Sequence, residues 1–307
     1  MDPSGSSWYG FTKYLNSCWF HSSLHLLTAI PLVRQLCLSS PSLSRFDEHL
    51  LTALRSILNS NGRKLVQNFF LEVSDFKGSD NRYGQIAVPD FIEFICERST
   101  ALKMLISHQF HSILKCSVCK WISPISCNDI FLKLYIPSNL QNNISLSDLC
   151  LFNSETKLSA NNAVMCGKCN KRTSHSQTYD YNPDIFLIEI VRVRENLSRW
   201  NKNSICISFP IRNLVLKSFS RKYRVVASCH HTVTIKSGHW FSKILTAKGW
   251  FLLDDLKSNV HPSCPPGVQD NSAVILLLVC WSNSISLFSC GCGVVRCVFL
   301  SRALLCS

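Results

Sequence analysis

The sequence predicts an α+β fold in which a helical lobe precedes a sheet-rich lobe. Apolar side chains recur at helical spacing through the first third of the chain. From Cys116 onward, short apolar or alternating runs lie between Pro, Asn, Ser and Gly residues, which is typical of strands. The chain has 307 residues and is 46% hydrophobic, so it can bury a large core. This order favours two packed lobes with a cleft between them.

Three stretches carry the helical prediction. The first apolar stripe ends before Pro31 and contains Trp19, Phe20, Leu24, Leu27 and Ile30. The second contains Leu50, Leu51, Leu54, Ile57 and Leu58. A third helix is predicted over residues 89–97, because a proline at the start suits the first turn. Strands are predicted at residues 130–136, 185–191, 224–226 and 273–279.

The formal net charge is +13, which permits attraction to nucleic acid or to an anionic membrane. The basic residues are nevertheless dispersed along the chain. The densest stretches, residues 192–202 and 217–224, lack the regular aromatic interleaving of a base-stacking platform. We therefore expect no nucleic-acid partner.

The 17 cysteines are spread along the chain, and the polar residues 1–7 contain no apolar leader segment. A small secreted disulfide scaffold is therefore not favoured. We expect an intracellular protein of the cytoplasm, the nucleus or both, with reduced thiols. In such a protein, paired cysteines are more often metal ligands than disulfides.

The C-terminal residues 281–307 receive no assignment. Residues 271–295 carry no charge, and this length raises the alternative of a membrane anchor. Several serines interrupt the apolar run, and its first half is better used as a core strand, so we do not expect membrane insertion.

Three short patterns supply a thiol, an imidazole and a carboxylate. Cys18 falls where the first helical stripe begins, with Ser17 as the expected cap, and the free amides there favour a nucleophilic thiolate. His239 follows Gly238 and is the candidate general base, then acid. Asp254 is the candidate that orients the imidazole. Each residue alone is usually structural, but the three patterns together predict a Cys/His/Asp hydrolase that needs no catalytic cofactor.

The residues around this triad resemble the sequence boxes of the ubiquitin-specific proteases, which are papain-like deubiquitinating cysteine peptidases. Identities with the first box are Gly10, Asn16, Cys18, Ser22, Leu24 and Leu27. Residues at the spacing of the second box are Tyr223, Ala227, His231, Gly238 and His239. Matches between the boxes are Pro183, Leu187, Arg192, Phe209 and Pro210. The resemblance covers roughly residues 8–280 of the sequence.

The resemblance implies a papain-like fold with a helical thumb, a β-sheet palm and zinc-stapled β fingers. The catalytic domain would span residues 1–280, with the thumb at about 8–110 and the palm and fingers at about 111–280. The implied activity is hydrolysis of the isopeptide bond after the C-terminal glycine of ubiquitin, through a thioester on Cys18. The implied partners are ubiquitin and ubiquitinated proteins. His231 is expected to support the cleft structurally.

One departure concerns the oxyanion site. The family places an asparagine five residues before the nucleophile, and this chain has Lys13 there. Loss of one oxyanion donor typically lowers turnover about a hundredfold or more. The Lys13 ammonium, Asn16 and the Cys18 amide are the remaining candidate donors, and Asp255 is a candidate for positioning the loop or a water. We therefore expect reduced activity.

Two CxxC pairs, Cys116 with Cys119 and Cys166 with Cys169, can together complete a tetrahedral thiolate site. Their separation is longer than in a compact zinc ribbon, so four unpaired thiols stay the alternative on spacing alone. The family resemblance implies a structural Zn²⁺ in the fingers.

The resemblance also covers a helix that the family places beside the substrate tail. Asp90 and Glu93 fall on one helical face there, and carboxylates would suit the arginines near the C-terminus of ubiquitin. Pro89 replaces the family's glutamine, so the match is partial. The alternative is a solvated acidic face.

Three other functions stay open. The Cys18-Trp19 pair, the absent oxyanion asparagine and residues 254–257 all resemble the SUMO-directed branch of the superfamily. An inactive ubiquitin-binding scaffold would keep the fold without the reaction. A basic nucleic-acid-binding zinc protein would leave the pattern of His239 and Asp254 unexplained.

Overall fold

The computed structural model describes residues 17–39, 44–59, 63–73, 76, 86–138, 140, 142–158, 163–173, 175–180, 183–196, 199–217, 219, 221–233, 238–254, 261–263, 265–266 and 269–280. The predictions for Lys13, Asn16, Asp255 and residues 281–307 lie outside these ranges.

Helices occupy most of the described first third of the chain. They are α1 (Cys18–Ala29), α2 (Pro31–Leu38), α3 (Arg45–Leu58), α4 (Arg63–Glu72), α5 (Val88–Arg98), α6 (Thr100–Ile106) and, later in the chain, α7 (Leu146–Asn153).

Strands follow from His108 onward. They are β1 (His108–Cys116), β2 (Ile122–Asp129), β3 (Phe131–Tyr135), β4 (Ile144–Ser145), β5 (Glu155–Leu158), β6 (Val164–Met165), β7 (Arg172–Thr173), β8 (His175–Asp180), β9 (Ile185–Val191), β10 (Val193–Asn196), β11 (Arg199–Lys202), β12 (Ile207–Ser208), β13 (Leu214–Val215), β14 (Lys222–Val233), β15 (Gly238–Thr246), β16 (Gly249–Leu253), β17 (His261–Pro262), β18 (Gln269–Asp270) and β19 (Ala273–Cys280).

A central sheet joins the strands in the order β17-β16-β15-β14-β19-β9-β3, with β13 paired to β14. Adjacent strands within this sheet are antiparallel, except that β3 and β9 are parallel. Side chains on β9 alternate between two cores, since Leu187 joins the first hydrophobic cluster and Ile188 the second. The thumb helices cover the face that carries Leu187, and α7 packs on the other face.

Helix α1 is the centre of the first core, and all of its residues are buried. It packs against α5 and against strands β14 and β15. The hydroxyl of Ser242 on β15 donates to the carbonyl of Ser22 on α1 over 3.1 Å. This contact fixes the start of the helix against the strand that begins at Gly238.

A second, four-stranded sheet runs in the order β2-β1-β8-β5 and forms the fingers. The predicted order of helices before strands is confirmed, with one exception. Helix α7 follows β4 and was not predicted; its Ser145 cap accepts from the backbone of Asp148. The four predicted strands correspond to β3, β9, β14 and β19. None of the helices in the described part of the chain is both long and apolar enough to span a membrane.

Arg192 begins residues 192–202, one of the densest basic stretches of the sequence. Unlike most arginines, it is buried, with 2% of its surface exposed. Its guanidinium donates to four backbone carbonyls, those of Ala273, Asn203, Ile205 and Asp270. Burial lowers the pKa of Arg192 to about 10, so the side chain stays charged and ties β9 to β19.

Candidate active site

Cys18 is the first residue of α1, as its helical pattern predicts. It is buried, and its own backbone amide belongs to the unpaired first turn of the helix. Ser17 occupies the N-cap position, as expected, but its side chain makes no capping hydrogen bond to the first turn. Because no acidic residue occupies the first turn, the positive end of the helix dipole is not offset there.

Four cysteines outside the two CxxC pairs are poor nucleophiles. Burial raises the pKa of Cys37 to about 11 and those of Cys96 and Cys229 to about 12, and it raises the pKa of Cys150 further still. Cys229 lies on β14 close enough to Cys18 for the two thiols to interact electrostatically. These four thiols stay protonated at neutral pH.

His239 and Asp254 lie at the same end of one β-hairpin. Strands β15 and β16 are antiparallel, with Ser242 opposite Leu253. The start of β15 therefore meets the end of β16, which brings His239 beside Asp254 although they are 15 residues apart. A hairpin of this register is the local reason for their contact.

Nε2 of His239 lies 2.7 Å from Oδ1 of Asp254. The side chains are 22% and 13% exposed, so the pair is largely shielded from water and still partly accessible. A hydrogen bond from Nε2–H to the carboxylate selects one tautomer and leaves Nδ1 as the basic nitrogen. The structure thus brings together two members of the predicted triad.

His231 lies on β14 next to the start of β15. Its ring packs on Trp240 with centroids 4.5 Å apart, and it is buried. Burial lowers the pKa of His231 to about 4, and the positive charges of Lys202 and His239 contribute. A neutral, packed imidazole suits the structural role predicted for it.

Asp90 and Glu93 lie on α5, which packs against α1. Phe91 of α5 meets Trp19 edge to face, with ring centroids 4.7 Å apart, and Trp19 follows Cys18 directly. Glu93 is not simply solvated: its Oε1 lies 2.8 Å from Nζ of Lys133 on β3. Sequence reasoning did not single out Lys133.

Glu189 was also missed. It lies opposite Lys133 in the parallel register of β3 and β9, with 3.9 Å between its Oε2 and Nζ of Lys133. Burial raises the pKa of Glu189 to about 7, although Lys133 offsets part of the effect. The available signal was a single acidic residue inside the apolar run of residues 185–191.

The four predicted metal ligands form a cluster, with their sulfur atoms all within 4.8 Å of one another. Sγ of Cys116 is 4.0 Å from that of Cys169, and Sγ of Cys119 is 3.6 Å from that of Cys166. The four thiols come from two separate turns whose sulfur atoms converge, and this arrangement can hold a metal ion.

The two turns of the cluster have the same local shape. Lys120 follows the first pair with φ 62°, and Asn170 follows the second with φ 55°. The amide of each of these residues donates to the carbonyl of the first cysteine of its turn, over 3.1 Å and 2.9 Å. Trp121 packs on Gly167, where a β-carbon would meet the indole at 3.3 Å. Matching turns of this kind suit a shared tetrahedral ion.

Comparison with known proteins agrees with this geometry. The family model described as "Ubiquitin carboxyl-terminal hydrolase" matches residues 9–277. Ubiquitin carboxyl-terminal hydrolase 21 of Homo sapiens is 26% identical over 181 residues, which are 55% of this chain and 31% of that protein. Ubiquitin carboxyl-terminal hydrolase 2 of Gallus gallus is 27% identical over 179 residues, which are 55% of this chain and 50% of that protein. The alignments thus cover half or less of these relatives.

Among solved structures, a chain of the SAGA DUB module Ubp8/Sgf11/Sus1/Sgf73 bound to monoubiquitin has a TM-score of 0.73 at 19% identity, covering 92% of this chain and 71% of that chain. The same module bound to ubiquitin aldehyde also gives 0.73, at 16% identity, covering 91% and 71%. The predicted thumb, palm and fingers architecture is confirmed. Because the family model covers most of the sequence, the chain belongs to the ubiquitin carboxyl-terminal hydrolase family.

Proposed function

We propose that this chain is a thiol-dependent ubiquitinyl hydrolase that cleaves the isopeptide bond after the C-terminal glycine of ubiquitin. The observation that carries the proposal is the contact of 2.7 Å between Nε2 of His239 and Oδ1 of Asp254. It prepares the imidazole to accept a proton on Nδ1, in a fold whose first helix starts at Cys18. The names of the related hydrolases support the same activity.

The proposed reaction begins with transfer of the Cys18 proton to Nδ1 of His239. The thiolate attacks the glycine carbonyl carbon, and the bond from carbon to the lysine nitrogen breaks as His239 returns the proton to the leaving amine. The resulting thioester on Cys18 is then attacked by water, from which His239 takes a proton. The bond from carbon to the Cys18 sulfur then breaks, His239 returns its proton to that sulfur, and the free carboxyl group of ubiquitin ionises by releasing a proton to solvent.

Asp254 acts through His239 by holding the tautomer and stabilising the imidazolium. The Cys18 amide, Asn16 and Lys13 are the proposed donors to the oxyanion, and Asp255 the proposed loop or water-positioning residue. A lysine at position 13 carries a favourable charge on a long flexible stem, so it is less preorganised than an asparagine. We propose that the turnover is reduced for this reason.

We propose that ubiquitin and ubiquitinated proteins are the partners, with Asp90 and Glu93 facing the arginine-bearing tail of ubiquitin. The two solved neighbours are bound to monoubiquitin and to ubiquitin aldehyde, which supports this substrate class. A SUMO-directed isopeptidase is the alternative substrate class suggested by the Cys18-Trp19 pair, and the matched relatives and solved structures do not favour it.

We propose a structural Zn²⁺ on Cys116, Cys119, Cys166 and Cys169. Four thiolates in a tetrahedral arrangement are a ligand set that zinc prefers, and they leave no open position for chemistry. The ion would staple the two turns of the fingers and supply folding stability, with the reaction confined to the triad.

We further propose that residues 1–280 form the catalytic domain and that the protein works in the cytoplasm or nucleus. Cys37, Cys96, Cys150 and Cys229 are free cysteines, which suits a reducing compartment. Imaging of a fluorescent fusion tests the compartment, and accumulation in the secretory pathway would contradict it.

Electrophile-tipped ubiquitin and electrophile-tipped SUMO test the function. The parent chain should form a covalent adduct of one modifier, Cys18→Ala should form none, and Cys229→Ala should still react because that thiol is buried and protonated. The preferred probe chooses between ubiquitin and SUMO. Reversible binding of ubiquitin without an adduct from a folded sample would instead indicate an inactive scaffold.

A further inference from the structure

A cation already occupies the acidic surface that the proposed substrate tail would use. Nζ of Lys133 lies 2.8 Å from Oε1 of Glu93 and 3.9 Å from Oε2 of Glu189. The carboxylates of Asp90 and Asp129 are near enough to act on Glu189 electrostatically. The ammonium of Lys133 therefore interacts with three acidic side chains, those of Glu93, Glu189 and Asp129, while Asp90 is near Glu189.

This cluster lies on the face of the central sheet that packs against α1 and α5. Lys133 shares a face of β3 with Phe131, which is part of the core that contains α1 and α5. Glu189 shares the same face of β9 with Leu187. The helix that carries Glu93 packs through Phe91 on Trp19, the residue after Cys18.

The ion pair is exchangeable. The side chains of Lys133 and Glu93 are both 35% exposed, and a pair this exposed adds little to stability. Burial lowers the pKa of Lys133, but the hydrogen bond to Glu93 and the neighbouring carboxylates raise it more, so the ammonium stays charged. A guanidinium can bind a carboxylate through two parallel hydrogen bonds, whereas an ammonium acts as a point charge.

We propose that Lys133 is a specificity-determining residue: it competes with the cationic substrate tail for Glu93, and the tail must displace it to bind. This inference rests on the proposed function, because it assigns the cluster to the same substrate. It implies that the chain binds an arginine-bearing tail more weakly than the acidic cluster alone would allow. It also implies that Lys133 weakens binding less for a modifier whose tail carries fewer cations.

The shielded carboxylate of Glu189 makes a double variant necessary. Its side chain is only 16% exposed, so removal of Lys133 alone would leave a shielded carboxylate without its counter-ion. The test variant is therefore Lys133→Met combined with Glu189→Gln, which frees Glu93 and keeps the strand pair neutral. Lys217→Met is the matched control, since Lys217 pairs with Asp148 of α7 on the opposite face of the sheet.

Affinity is measured in a Cys18→Ala background by fluorescence anisotropy with labelled ubiquitin and with ubiquitin whose tail arginines are alanine. The double variant should bind ordinary ubiquitin about fivefold more tightly than the parent, which is the factor expected for one exchanged ion pair. The gain should disappear with the arginine-free tail and shrink at high salt. The Lys217→Met control should show no gain.

An equal or weaker affinity of the double variant for ordinary ubiquitin overturns the inference, as does a gain that persists on the arginine-free tail. If the parent shows no measurable affinity, the inference requires the double variant to acquire one. Adduct formation at Cys18 is scored separately in the otherwise unaltered chain. If the chain forms no adduct but its ubiquitin affinity depends on Lys133, the proposed activity is wrong and this inference still holds.

Discussion

Gly238 lies directly against the imidazole of His231: a β-carbon at position 238 would fall 1.8 Å from Nε2 of that ring. The two residues belong to adjacent strands, and the ring of His231 also packs on Trp240. Since His239 follows Gly238 in the chain, this close approach sets the backbone position of the proposed general base.

Gly238→Ala should therefore damage both stability and activity. The added methyl group forces the packed His231 ring to move, and overpacking of this kind typically costs about 1–3 kcal/mol. Thermal unfolding and the kcat/KM for a ubiquitin substrate measure the two effects. Gly238→Ala combined with His231→Ala should recover part of both, because the smaller side chain vacates the space. Full activity of the single variant would contradict the structural constraint.

Asp254→Ala should lower kcat about a hundredfold, because His239 loses the partner that fixes its tautomer and stabilises its cation. Asp254→Asn should retain more activity than Asp254→Ala, since an amide oxygen can still accept the proton on Nε2. Steady-state kinetics across a pH series distinguish orientation from a folding defect. If both variants keep the kcat and the pH profile of the parent chain, Asp254 is not part of the proposed triad.

The protein should lose stability in mild acid because several histidines are buried without charge. Burial lowers the pKa of His25 to about 3, with a contribution from His21. Below the ordinary histidine pKa of about 6.5, the unfolded chain binds a proton that the folded chain does not. Stability therefore rises with pH in this window and is lost as pH falls through it, by about 2 kcal/mol for His25 between pH 6.5 and about 5.

Urea unfolding at these pH values checks the expectation. His25→Leu should flatten the dependence of the free energy of unfolding on pH. The surface variant His49→Leu is the control and should leave the dependence attributed to His25 in place, since that side chain is 44% exposed. An unchanged slope in His25→Leu would show that the ring already carries its proton when folded.

Metal removal should destabilise the fingers. The purified chain should contain about one zinc ion, and chelation or Cys166→Ser should lower Tm by at least about 5 °C. Cys206→Ser, a half-buried thiol outside the cluster, should keep the metal. Metal analysis and calorimetry measure both quantities, and a Cys166→Ser variant with unchanged zinc content would exclude the proposed ligand set.

Much of the fold could be predicted because the relevant signals are local. The stripe from Trp19 to Ile30 has helical period and became α1, and the run of residues 273–279 became β19. Helix α7 was missed because its eight residues, Leu146–Asn153, are too short for a clear period. Its N-terminal signal, Ser145 followed by Asp148, was present in the sequence.

The sequence by itself determined the candidate chemistry: Cys18 at a helix start, His239 after a glycine, Asp254 after a strand, and two CxxC pairs. These signals lie in short motifs, so they can be recognised from the sequence without a structure. Only the tertiary structure decided which charges meet. It buried Arg192 among four carbonyls, joined Lys133 to Glu93 and Glu189 across three elements, and packed His231 on Gly238. Such contacts depend on strand register and helix packing, which bring together residues distant in the chain.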